Sequence, residues 1–151
     1  MEGISYPMQF LISFPEAALL ALLGLSILGI KPTGKQILLI GFIQAGFGAY
    51  VRWLPWPFGV HTILQIISLS LLIYLVMLIP LKLSFLAVLS GFCIYISVEA
   101  VLLPISLALT GLSLPVVLQS FWLQLAFWLP QAVTVILIII LICRNKVKLT
   151  E

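Results

Sequence analysis

Of the 151 residues, 64% are hydrophobic and 7% charged, against roughly 45–50% and about 25% in soluble domains; a water-soluble globular domain is excluded. The expected fold is all-α, a polytopic transmembrane helix bundle forming one membrane domain over residues 1–151. A net charge of +3 from seven Lys and Arg is too thinly spread for nucleic-acid binding and serves instead as a topology signal.

No Lys or Arg precedes the first apolar stretch; Glu2 does, and Lys31 and Lys35 follow it. A cleaved secretion signal needs the opposite order, so this stretch is expected to be retained as a span that starts outside. It is read over residues 9–30 and stops at Gly29-Ile30-Lys31-Pro32, the composition of a helix C-terminus. The second span covers 36–52, and the third covers 61–79 and ends at Ile79-Pro80. After a short turn with Lys82, the fourth covers 83–103 and ends at Pro104. Residues 105–120 are less apolar, with Gly111, Ser113 and Pro115, and read as a broken re-entrant or interfacial connection. The fifth span covers 121–143, kinks at Pro130, and leads into Arg144-Asn145-Lys146-Val147-Lys148. Cys93 and Cys143 fall inside apolar segments, where a thiol packs as a small hydrophobe.

An outside N-terminus places Lys31, Lys35, Lys82, Arg144, Lys146 and Lys148 inside and only Arg52 outside. That asymmetry gives five spans, N-terminus out and C-terminus in, in a multi-pass cell-membrane protein. The basic tail is expected to hold this orientation by meeting anionic inner-leaflet lipid.

The loop Arg52 to Thr62 holds the only His and two of the four Trp, side chains suited to the headgroup level. This topology brings Glu16, Arg52, His61 and Glu99 to one side. Glu99 then lies about 6 Å inside its helix end and Glu16 about 10 Å inside its own, deep enough to need a partner. Helical spacing adds polar faces: Gly41, Ala45, Gly48 and Arg52; His61, Gln65 and Ser68; Gly91, Tyr95 and Glu99; Gln124, Gln131 and Thr134. These faces outline a polar cavity open outward and closed inward by aliphatic sequence such as Ile136 to Ile142. Plainer roles stand beside this one. Ser13-Phe14-Pro15-Glu16 has the spacing of a capping box that would keep Glu16 local. Arg52 fits a side chain snorkelling to phosphates, His61 a helix-start residue facing water, and Glu99 a structural pair for Arg52. The small-residue stripes fit helix packing.

Catalytic and metal constellations are lacking. The chain has one His and no Asp, which rules out a Ser-His-Asp set, and two thiols in different spans do not complete a zinc site. Cys93 and His61 lie about 15 Å apart in depth, too far for a nucleophile and its base. No enzyme, cofactor or metal is expected.

The pattern Gly29-x-Lys31-Pro32, then Arg52-x-x-Pro55-x-Pro57-Phe58-Gly59-x-His61-Thr62, then Glu99 resembles the multi-span membrane sensor region of Gram-positive sensor histidine kinases. These 151 residues include no dimerisation helix, phosphoacceptor His or ATP-binding domain. The resemblance therefore implies a detached sensing module that signals through a cytoplasmic partner such as a histidine kinase. The membrane peptidases that mature autoinducer peptides pair a His with a Cys a few residues on; here Thr-Ile-Leu-Gln-Ile-Ile-Ser follows His61, and the match fails. The expected partners are the lipid bilayer and that signalling protein, with self-association left open. A small transporter or channel subunit using the same polar faces is the alternative.

Overall fold

Long apolar segments with few polar side chains satisfy their backbone groups only within themselves, and helices do so. The computed structural model describes residues 6–57 and 59–149. Glu2 and Phe58 lie outside them, as do the side chains of Lys146 and Lys148. Six helices are described: α1 (Tyr6–Ile27), α2 (Gly34–Arg52), α3 (Val60–Met77), α4 (Leu81–Thr110), α5 (Leu114–Gln119) and α6 (Phe121–Leu149).

Helix α1 begins at Tyr6, so Ser13 stands about two turns into it. That overturns the capping-box role of Ser13-Phe14-Pro15-Glu16, and Glu16 is free to reach across to a neighbour. A capping box does form further on, at Thr33. Thr33 Oγ1 accepts from the Gln36 amide at 3.3 Å, and Gln36 Oε1 accepts from the Thr33 amide at 2.9 Å. Between these points Gly29, at φ 76°, closes α1. The Ile30 amide donates to the Leu25 carbonyl at 2.9 Å and the Gly29 amide to Ser26 at 3.1 Å, the pairing of a Schellman motif.

The fourth span differs from its expected end at Pro104. Helix α4 passes through Pro104 and stops only at Gly111, which caps it at φ 69°. Proline removes one amide and disturbs one carbonyl, a local loss that the apolar residues on either side absorb. The connection read over 105–120 thus divides into the last turns of α4, a three-residue turn at Gly111–Ser113, and α5. Lys82 sits in the first turn of α4 rather than in a turn before it.

Helix α1 is the axis of the bundle, packing on α2, α4 and α6. Half of its apolar length is buried, against 17–22% in the three other longest apolar helices. Its contact with α4 is made backbone to backbone. A Cβ on Gly24 would overlap the Ala87 carbonyl oxygen, and one on Gly91 would lie 3.0 Å from the Gly24 nitrogen and the Leu20 oxygen. Small residues are what permit helices to approach so closely. Beyond this seam Leu23, Leu25, Ile73, Val88, Val135 and Ile139 form an aliphatic core.

Four helices, α1, α3, α4 and α6, are long and apolar enough to cross a membrane. Helix α2 falls short because Lys35, Gln36, Gln44 and Arg52 dilute its 19 residues. The outer faces are apolar, with Leu38, Phe42, Ile63, Leu71, Val133 and Leu137 exposed, as in a membrane protein.

Candidate functional site

Near the end of the bundle where α1 begins and α2 ends, four helices leave a cavity of about 80 Å³. Helix α1 contributes Ser13, Glu16 and Leu20; α2 Gln44, Gly48 and Arg52; α3 Gln65 and Leu69; and α4 Phe92, Tyr95 and Glu99. The helices run antiparallel where they meet, with Leu20 and Gly24 beside Gly91 and Ala87. That register carries Glu16, near the start of α1, to the level of Tyr95 and Glu99 on α4 and of Arg52 at the end of α2.

Glu16 Oε2 lies 3.7 Å from Arg52 Nη2, with side-chain exposures of 31% and 38%. The pair is an ion contact longer than a hydrogen bond, and it stays open to the cavity mouth. Two carboxylates and one guanidinium line the same space, so with all three ionised the site carries one unit of negative charge. At this size it has room for a few waters, far below the roughly 300–1,000 Å³ of a pocket for drug-sized ligands. A peptide does not fit inside.

The walls are held by polar contacts between helices. Gln44 Nε2, buried on α2, donates to Ser68 Oγ at 3.0 Å and to the Gln65 carbonyl at 3.3 Å, tying α2 to α3. Trp128 Nε1 on α6 donates to Tyr95 Oη at 3.0 Å, tying α6 to a cavity-lining residue of α4. Ser13 Oγ is buried without a hydrogen-bond partner.

Of the residues expected around the cavity, it gathers Glu16, Arg52, Glu99, Gln65, Tyr95 and Gly48. His61 stands one turn before Gln65 and faces Trp56, ring centroids 6.5 Å apart. Gln124 Nε2 donates to the Leu118 carbonyl at 2.8 Å and fastens α6 to α5. Gln131 is buried on α6 away from the cavity lining. Ser13 and Gln44 were not expected there. Gln44 was legible, three residues after Gly41 and four before Gly48 on the same face. Among the described residues no group of three or more His, Cys, Asp or Glu is placed to hold a metal.

No family model, curated protein or solved structure matches the chain.

Proposed function

We propose that this chain is a multi-pass cell-membrane protein of five spans, N-terminus outside and C-terminus inside, that senses through the Glu16–Arg52–Glu99 cavity. The state of that cavity is passed to a cytoplasmic partner such as a histidine kinase; no catalytic step is assigned. Counting α2 as a span is supported by its length: 19 residues rise about 28 Å, close to the roughly 30 Å hydrocarbon core. Its polar Gln44 and Arg52 face partners on α3 and α1.

The observation that carries sensing over transport is the one-sidedness of the polar lining. It stops at the close-packed Gly24–Gly91 seam, and the buried side chains beyond are mostly aliphatic, with Ser26, Ser70 and Ser84 among them. The buried hydroxyls of Ser70 and Ser84 bond carbonyls of their own chain four residues back, Ile66 and Pro80. A transporter needs a site that opens to both sides, which would call for polar groups across that seam.

The test uses single thiols in a chain whose Cys93 and Cys143 are replaced by Ala. Arg52→Cys, at the open mouth of the cavity, should react with an impermeant maleimide added outside and not from inside, while Ser84→Cys, buried past the seam, should resist both. Labelling of Arg52→Cys from either side would favour the transporter reading. An impermeant reagent reaching a thiol placed in the C-terminal tail from outside would overturn the orientation.

A further inference from the structure

We propose that the cavity binds a small monovalent cation of about sodium's size, held by the Glu99 and Glu16 carboxylates together with the Ser13 hydroxyl. The proposal rests on reading this cavity as the working site and names what enters it. Charge comes first. Arg52 offsets one carboxylate, Glu16, at 3.7 Å, and with all three groups ionised Glu99, exposed on the same wall, leaves one negative charge over. A single monovalent cation balances that charge, whereas a divalent ion would leave an excess and an anion would be repelled.

The second observation is independent of the carboxylates. Ser13 lines the cavity, the residue is only 6% exposed, and its buried Oγ has no hydrogen-bond partner. A helical serine ordinarily returns its hydroxyl to the carbonyl four residues back, as Ser70, Ser97 and Thr134 do here. Leaving a buried hydroxyl unpaired is costly, and a cation lying against its oxygen removes that cost. Size is the third constraint. A space of about 80 Å³ accepts a bare or partly hydrated alkali ion and excludes bulky organic cations. The donors are hard: carboxylate, hydroxyl and phenol oxygens, with the Gln65 amide nearby. Such donors suit alkali ions and lack the imidazole or thiolate that transition metals prefer.

The experiment follows the thermal midpoint of the purified full chain in detergent. NaCl replaces N-methylglucamine chloride at constant ionic strength and pH. A saturable rise in midpoint with Na⁺ is expected in the wild type. Glu99→Gln should abolish the rise, and Ser13→Ala should raise the half-saturating NaCl several-fold while leaving a response. Identical midpoints in Na⁺ and N-methylglucamine would overturn the cation site. So would a midpoint that follows pH but ignores Na⁺, or an undiminished Na⁺ response in Glu99→Gln. Should Glu99→Gln fail to fold, the wild-type titration and Ser13→Ala still decide. Sensing fails separately: a Na⁺ response with no Na⁺-dependent change in thiol accessibility keeps the cation site and removes the sensor. No Na⁺ response, with Arg52→Cys still reached from outside alone, removes the cation and leaves the sensor standing.

Discussion

Gly24→Ala is the most direct probe of the seam between α1 and α4. The added methyl would overlap the Ala87 carbonyl oxygen and lie 2.7 Å from its carbonyl carbon. Carbon atoms prefer roughly 3.5–4.0 Å, so the two helices must part by about 1 Å. The obstacle is backbone, which no rotamer change removes. Overpacking costs about 1–3 kcal/mol, and parting helices also weakens dispersion contacts of buried neighbours such as Leu20, Ala21, Ala87 and Val88. The expected loss is therefore at the upper end, about 3 kcal/mol. Gly91→Ala meets its neighbours at 3.0 Å and should cost about 1–2 kcal/mol. Once either methyl has opened the seam the other adds less, so the double variant should cost less than the sum. Gly34→Ala, with nothing within 4 Å of the new Cβ, is the control and should change stability by no more than about 0.5 kcal/mol. Reversible unfolding in mixed micelles, read by far-UV circular dichroism, measures all four variants. If Gly24→Ala were as stable as Gly34→Ala, the helices would not cross at this point and the floor of the cavity would be wrongly placed.

Three further substitutions address the walls. Arg52→Met and Glu16→Gln, alone and combined, should show a coupling of about 1 kcal/mol, because the pair is partly exposed and longer than a hydrogen bond. A sealed pair would cost about 3–5 kcal/mol on losing one partner; coupling indistinguishable from zero would return Arg52 to a snorkelling role. Tyr95→Phe removes the acceptor 3.0 Å from Trp128 Nε1 and should cost about 1–2 kcal/mol, with a shift in tryptophan emission. Emission and stability both unchanged would mean that α4 and α6 are not joined there.

Much of the site was legible because helical spacing is a rigid rule. Tyr95 and Glu99, four apart, must share a face, and Gly48 and Arg52 likewise. Spacing does not say how deep a cavity lies. His61 shares the stripe of Gln65 and Ser68, yet the cavity reaches only to Gln65 and Leu69, leaving His61 beside Trp56 in the adjoining loop. Nor do four residues show where a helix begins. Ser13-x-x-Glu16 and Thr33-x-x-Gln36 have nearly the same pattern. Thr33 caps because Gly29 and Pro32 have just ended the previous helix. Ser13 does not, because Tyr6 to Ile12 already form helix ahead of it. Pro104 misled for a related reason: the residues beyond it, up to Gly111, keep the helix going, and only the left-handed glycine stops it.

The polar make-up of α2 bears on how the chain is assembled. On the five-span reading, a segment with Lys35, two glutamines and Arg52 gains little from entering lipid alone, where charged side chains oppose insertion. The six residues separating Ile27 from Gly34 are few enough for α1 and α2 to enter together as a hairpin, with Glu16 already present to receive Arg52. Gln44 must wait longer. Its partners, the Gln65 carbonyl and Ser68, belong to α3 and are still inside the ribosome when α2 leaves it. Until α3 emerges, α2 keeps an unmatched amide facing hydrocarbon, and a released chain that ends before residue 60 should let α2 slip back to the surface.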